Sequence, residues 1–151
     1  MVLIIGILAA IALPQYQKAV YRSRLNTVKN LVISITNAQE VYYLSNNSYA
    51  ISLDLLDIDL PIEEEEKNEY GWYVLKGITC GIGAQSTSCS IPGLFSFQKY
   101  YMHTNDPGTA TCLANTDNDA ANQVCKSETL SSTPRWTGDS IGYRWNTYKY
   151  Q

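Results

Sequence analysis

The feature that most constrains this 151-residue chain is an apolar run that enters a long amphipathic segment with no loop between them. The run extends from Met1 to Leu13, Pro14 follows it, and the amphipathic pattern continues to about Leu44. Read as one helix, with a rise of about 1.5 Å per residue, Val2 to Leu44 spans roughly 65 Å. A compact domain of this size is much shorter, so we expect roughly half of the helix to project from it.

An apolar stripe defines the second half of the predicted helix. Its members recur at steps of three and four residues, which is the spacing of one helical face. We expect this face to pack on a sheet, with residues 25–151 forming a globular head and residues 1–24 the projecting half. The expected core residues between helix and sheet are Leu25, Val28, Leu31, Val32, Ile35 and Tyr42.

The apolar run is too short to span a membrane as written, because a lone spanning helix needs about 20 apolar residues. It does not match a cleaved secretory signal either. No Lys or Arg precedes Lys18, and the helical pattern continues through the small residues Ala9–Ala12. Pro14 predicts either a kink in a continuous helix or a helix end at Leu13. The candidate contact residues of this apolar segment are Val2, Leu3, Ile4, Ile5, Gly6, Ile7, Leu8, Ile11, Leu13 and Pro14.

Strand patterns follow the helix. Aromatic, partly alternating segments at Tyr70–Lys76, Leu94–Met102 and Ile141–Tyr150 predict strands, and Gly108–Leu113 is a further candidate. Antiparallel pairing is favoured because no second long helix is predicted that could make crossover connections. The predicted fold class is therefore α+β, with one long N-terminal helix on a small antiparallel sheet.

The four cysteines predict disulfides and not a metal site. Cys80, Cys89, Cys112 and Cys125 lack the C-x-x-C spacing of zinc ribbons and thioredoxin-type motifs. An even number of cysteines after an exported-looking N-terminus indicates two disulfides. Four cysteines allow three pairings, and we favour the pairing of nearest neighbours.

Composition and motifs argue against catalysis and nucleic-acid binding. The net charge is -3, so the chain lacks an overall basic footprint for nucleic acid. His103 is the one histidine, and the residues after it are typical of a turn. No phosphate-binding loop, G-x-S-x-G or H-E-x-x-H motif occurs. We expect no catalytic residue and no cofactor.

One metal site is a weak candidate. Asp117 and Asp119 offer oxygen ligands of the kind that calcium prefers. The surrounding sequence lacks the twelve-residue calcium loop with its terminal Glu. The alternative is a polar turn between Cys112 and Cys125.

The stretch Ile5-Gly-Ile-Leu-Ala-Ala-Ile-Ala-Leu-Pro-Gln-Tyr-Gln-Lys-Ala-Val20 resembles the N-terminal helix of type IV pilins and the related pseudopilins. Gly6 and Pro14 match the family's helix Gly and helix Pro. The block Ile51–Pro61 is similar to the segment that follows the long helix in many pilins. The block Cys112–Lys126 resembles their disulfide-bounded C-terminal region.

This resemblance implies the type IV pilin fold and a structural subunit of a pilus filament. Such a subunit is held in the bacterial inner membrane and then polymerises outside the cell through packing of its N-terminal helix. The candidate contact residues between Val2 and Pro14 would then lie first in the membrane and afterwards in the filament core. The filament would serve surface attachment or motility. Its partners would be other copies of itself, related pilins and the pilus assembly machinery, with no nucleic acid expected.

Two alternatives share the fold. One is a pseudopilin of a type II secretion system, which calcium-dependent folding would favour and the C-terminal cysteine pair disfavours. The other is a minor pilin acting as an adhesin or DNA-uptake module. An exposed aromatic and basic patch of Arg135, Arg144, Trp145 and Lys149 could serve that role.

The sequence departs from the family pattern at its start. It lacks the Gly cleavage site and the Phe-Thr-Leu-Ile-Glu-like beginning of the mature family helix. On this alignment roughly eight residues would precede Met1 in the parent protein, and they would bring the apolar helix close to spanning length. We therefore expect a start at an internal codon or a trimmed chain. N-terminal processing and methylation would be properties of that parent.

Overall fold

The computed structural model describes residues 2–60, 72–140 and 142–151, and within them it contains two α-helices, one 3₁₀ turn and seven strands. The helices are α1 Val2–Asn46 and α2 Asp119–Thr129, and the 3₁₀ turn is Leu53–Leu55. The strands are β1 Tyr73–Leu75, β2 Ile78–Ile82, β3 Ser86–Ile91, β4 Phe95–Tyr100, β5 Ala110–Asn115, β6 Trp136–Ser140 and β7 Tyr143–Lys149.

The strands form one antiparallel sheet in the order β1-β2-β3-β4-β5-β7-β6. Helix α1 packs on β3 and β4, and α2 packs on β5 and β7. Both helices lie on the same face of the sheet. The residues that contact them occupy every second position of each strand and are paired with one another across β4, β5 and β7, so their side chains point to one side. The expected α+β class, with a long N-terminal helix and an antiparallel sheet, is confirmed.

The apolar stripe of α1 forms the centre of the core. Leu25, Val28, Val32 and Ile35 are fully buried. The other two expected core residues, Leu31 and Tyr42, are half-buried at the sides of the stripe.

The helix stripe meets the sheet at its central strands. Phe95, Phe97, Cys112 and Ala114 are the buried residues of β4 and β5 that face the helices. Tyr21 makes an early contact of α1 with the sheet, its ring meeting Phe95 edge-on with centroids 5.7 Å apart.

Helix α2 lies where the sequence pattern predicted only a polar turn. Asn118 caps it, because its side-chain oxygen accepts the Ala121 N–H at 2.9 Å. Leu130 ends it in the left-handed conformation, with φ of 56°. The buried Ala121 and Val124 have helical spacing, which was the overlooked signal.

Asn122 makes four hydrogen bonds, three of them to the sheet and one to the N-cap of its own helix. Its amide nitrogen donates to the carbonyl oxygens of Asn115 and Asn118, both at 2.8 Å. Its oxygen accepts from the Tyr148 hydroxyl and the Asn146 amide, both at 2.9 Å. A buried amide satisfied at every position fixes the helix in one orientation.

The two disulfides have the expected nearest-neighbour pairing. Cys80 and Cys89 face each other across β2 and β3, with Cα atoms 4.1 Å apart. The segment between these cysteines is therefore mostly a β-hairpin. Cys112 on β5 is bonded to Cys125 on α2.

The predicted strands are present as β1, β4, β5 and β7, although Tyr70, Gly71 and Ile141 lie outside the described residues. The sequence patterns do not predict β2, β3 or the edge strand β6. The residues of β6 are exposed or half-exposed, so they carry no alternating apolar pattern that would identify a strand.

Candidate assembly surface

The projecting half of α1 presents an apolar surface that the head does not cover. Every described side chain from Gly6 to Ala19 is exposed, and burial begins only with the half-buried Val20 and Tyr21. Leu25 is the first fully buried residue. The expected boundary between a projecting half and a head after residue 24 therefore lies close to the place where burial begins.

Large apolar side chains are exposed to solvent along this half of α1. The exposed fractions are 56% for Ile7, 62% for Leu8, 63% for Leu13 and 69% for Tyr16. The segment has no acidic residue, and its first cation is Lys18. Exposed apolar surface of this extent marks an interaction site with protein or lipid.

The helix continues through Pro14 without a break. Proline removes one backbone donor and crowds the preceding turn, so this is the weakest point of the helix. The alternative expectation, a helix end at Leu13, is wrong. Gly6 has open space around it, since a Cβ atom placed there would meet nothing within 4 Å. No contact within the described chain requires a glycine at this position.

The structure does not describe the side chains of five of the candidate contact residues between Val2 and Pro14. The structure places Val2, Leu3, Ile4, Ile5 and Ile11 in the helical backbone and describes nothing further of them. Among the described residues, none of the helices combines the length and the apolar character required to cross a membrane.

A cluster of ion pairs joins α1 to α2 where the projecting half meets the head. The Glu128 carboxylate lies 3.4 Å from Arg22 Nε and 3.6 Å from Lys29 Nζ. Arg22 also donates to the Ser127 hydroxyl at 3.3 Å. Arg22 is 54% exposed, so its pair with Glu128 contributes at most about 1 kcal/mol. Lys29 is held further by the Tyr150 ring, whose centroid is 4.9 Å from Nζ.

The aromatic and basic patch considered for an uptake module does not form as expected. Trp145 is buried, with an exposed fraction of 4%, and its indole N–H donates to the Ser140 carbonyl oxygen at 2.9 Å. Its ring is packed edge-on by Tyr143. Arg135 and Arg144 are exposed, but the aromatic member of the expected patch is unavailable for stacking.

The weak calcium candidate gains no support. Asp117 lies in the turn before α2, where its backbone N–H donates to the Asn115 side chain. Asp119 begins α2, where a carboxylate interacts favourably with the helix dipole. In the described part of the chain no three His, Cys, Asp or Glu side chains are grouped to hold a metal ion.

His103 belongs to a stack of aromatic rings. Its ring lies parallel to that of Tyr43, with centroids 4.2 Å apart. Tyr49 continues the stack toward the buried Tyr101. Burial raises the pKa of the Tyr101 hydroxyl to about 12, despite its hydrogen bond to Thr87.

Glu40 connects this stack to the end of α1. Its carboxylate accepts the Met102 N–H at 2.8 Å and the Tyr49 hydroxyl at 3.2 Å. Burial, together with the Glu40 charge, raises the pKa of the Tyr49 hydroxyl, although its hydrogen bond from the His103 N–H opposes the rise. The stack thus fastens the turn after α1 to the sheet.

Comparison with known proteins gives no match: no family model, no curated protein and no solved structure is significantly similar to this chain.

Proposed function

We propose that this protein is a structural subunit of a helical surface filament, of the type IV pilin kind. The observation that carries the proposal is the exposed apolar half of α1, joined without interruption to a head closed by two disulfides. The resemblance of the Gly6–Pro14 helix to the pilin N-terminal helix is the reason for proposing a type IV pilin filament and not another kind of filament.

The physical argument begins with the cost of exposing this surface. Burying an apolar side chain such as Leu8 or Leu13 contributes about 1.5–3 kcal/mol relative to leaving it in water. Several such side chains point outward from a helix that the head does not touch. The surface is therefore covered by lipid or by neighbouring helices when the protein functions.

The charge pattern is compatible with packing against neighbouring helices. The exposed half contains no acidic side chain, and its cations, beginning with Lys18, lie near the head. Before assembly the same surface would be covered by the inner membrane. In the filament the copies would pack helix against helix, with the heads outside.

The pseudopilin alternative remains a second proposal within the same fold. The disulfide between Cys112 and Cys125 favours a pilin over a pseudopilin, since it closes the C-terminal region as in the pilin pattern. The described structure contains no grouping of carboxylates that would favour a calcium-dependent pseudopilin.

The experiment that tests the proposal is filament assembly by helix variants in a native host. Ile7→Asp with Leu8→Asp places two charges on the exposed apolar surface and should abolish filaments in the sheared cell-surface fraction. The matched control, Ile7→Leu with Leu8→Ile, keeps the surface apolar and should assemble normally. Both variants should retain the two disulfides, because neither residue contacts the head. Normal assembly by the charged variant would disprove the proposal.

A further inference from the structure

Trp136 is an exposed aromatic residue on the last strand of the sheet. It is the first residue of β6, and its side chain is 53% exposed. Among the described residues β6 has a single neighbouring strand, β7, so its other edge is open. The pairing partners Thr147 and Trp145 place Trp136 and Gly138 on the sheet face opposite the helices.

The indole ring lies flat on Gly138. A Cβ atom at position 138 would overlap Cζ2 and Cη2 of Trp136, so the ring occupies the space above the glycine Cα. One face of the ring therefore packs against the backbone at Gly138, and the opposite face is exposed to solvent. Any side chain at position 138 would displace the ring, which explains a glycine inside this strand.

The exposed apolar surface around this ring is small. The residues on the same sheet face are Gly138 and Ser140 of β6 and Tyr143, Trp145 and Thr147 of β7, whereas Thr137 and Asp139 alternate to the face of the helices. Trp145 is buried, and Tyr143 is 39% exposed. The Trp136 indole N–H makes no hydrogen bond with the described part of the chain, so a donor at the ring edge is available. A stable protein interface buries about 800 Å² on each partner, which is far more than the exposed parts of Trp136 and Tyr143 offer on this face.

We infer that Trp136 is a stacking platform for the pyranose ring of a neutral carbohydrate, which is a role beyond the proposed filament subunit. A pyranose has one face of C–H groups and a rim of hydroxyl groups. The C–H face suits the negative face of the indole, whose backing by Gly138 holds it flat. The rim can accept the indole N–H and form hydrogen bonds with the backbone groups along the open edge of β6.

A nucleobase is a poorer occupant of the same ring. Single-stranded nucleic acid brings phosphate charges that need a basic groove, and the chain has a net charge of -3. Trp145, the nearest tryptophan on β7, is buried and cannot provide a second stacking position. One ring with few polar neighbours predicts weak binding of a monosaccharide, with a dissociation constant on the order of 1 mM.

The experiment follows the indole N–H signals of the full chain by NMR, in a zwitterionic detergent that has no sugar headgroup. The probes are methyl β-D-glucoside, methyl β-D-galactoside and methyl N-acetyl-β-D-glucosaminide, each titrated to about 50 mM. Trp136→Ala assigns the signal and removes the platform. Gly138→Val keeps the tryptophan but displaces its ring. Trp72→Ala is the matched control, since Trp72 is a half-buried tryptophan that also covers a glycine, Gly81, near the opposite edge of the sheet.

The expected result is a saturable shift of the Trp136 signal with at least one glycoside. Trp136→Ala should abolish binding, Gly138→Val should weaken it about tenfold or more, and Trp72→Ala should leave it unchanged. Absence of any saturable shift, or equal binding by Trp136→Ala, would overturn the inference. A shift of Trp136 caused only by oligothymidylate, or only by raising the protein concentration, would overturn it in favour of nucleic acid or self-association.

Discussion

Gln39 holds Ala50 through two hydrogen bonds that imitate the pairing of two strands. The side-chain nitrogen of Gln39 donates to the Ala50 carbonyl oxygen at 3.0 Å, and the Ala50 N–H donates to Gln39 Oε1 at 2.8 Å. Both residues are buried, and Gln39 is fully enclosed. The chain that leaves α1 at Asn47, in the left-handed conformation, is thereby folded back onto the helix.

Replacing Gln39 should destabilise the protein more than an ordinary polar substitution does. Gln39→Leu retains the volume but leaves the buried N–H and C=O of Ala50 without partners. We expect a loss of about 2–4 kcal/mol, because each orphaned buried group costs about 1–3 kcal/mol. Thermal unfolding followed by circular dichroism measures it. The control is Asn37→Leu at an exposed position of the same helix, which should change stability by less than about 0.5 kcal/mol.

Asn122 should be the most sensitive polar residue of α2. Asn122→Ala removes four hydrogen bonds and leaves the buried Tyr148 hydroxyl without a partner, with an expected loss of about 2–4 kcal/mol. Tyr148→Phe removes one of those bonds and should lose about 1 kcal/mol. The two losses should not add in the double variant, since the residues share a bond. Full additivity in a double-mutant cycle would contradict the described network.

The Cys112–Cys125 disulfide should stabilise α2 selectively. It links residues 13 apart in sequence on β5 and the helix, and its removal by paired Cys→Ala substitution should cost about 3 kcal/mol. Amide hydrogen exchange should accelerate in α2 while the pairing of β2 with β3 stays protected. Paired substitution of Cys80 and Cys89 is the control, and it should loosen that hairpin and leave α2 protected. The reverse pattern would refute this assignment.

Stability should fall at alkaline pH because Tyr101 is buried as a neutral phenol. Burial raises its pKa from 10.0 to about 12, so the unfolded chain releases its proton first as pH rises. The folded state then binds more protons than the unfolded state between about pH 10 and pH 12, and the free energy of unfolding falls across that window.

The expected contribution of Tyr101 to this fall is on the order of 2 kcal/mol. Thermal unfolding measured at intervals between about pH 8 and about pH 12 tests it. Tyr101→Phe should show a shallower decline than the parent chain, although burial also raises the pKa of Tyr150, which supplies part of the slope. An unchanged slope in Tyr101→Phe would exclude Tyr101 as a source.

The parts of this fold that sequence could predict are those with a repeating apolar pattern. Leu25, Val28, Val32 and Ile35 repeat at helical spacing, and their burial follows from that pattern alone. The aromatic strands β4 and β7 follow from similar reasoning. Sequence proximity favours the nearest-neighbour disulfide pairing, and for Cys80 and Cys89 the hairpin of β2 and β3 provides the reason.

The parts that sequence missed depend on contacts between distant residues. Helix α2 is polar over much of its surface, and it is held by Asn122 and Cys125 through partners on β5 and β7. Strand β6 pairs with β7 at the sheet edge, where exposure removes the alternation that identifies a strand. For Trp145, the composition of the segment suggested a surface patch, whereas the packing of Tyr143 and the bond to Ser140 bury it.

Because α1 is one continuous helix, movements of its two ends are mechanically coupled. The residues that face outward near Ile7 and those that enter the core at Leu25 belong to one rod, so a turn of one end turns the other. Each residue advances an α-helix by about 1.5 Å and about 100°. If α1 moved by one residue along a neighbouring helix and kept the same packing, it would therefore rotate by about 100° about its axis. The head would rotate with it. Pro14 is the position at which the helix can bend or unwind to accommodate such a rotation.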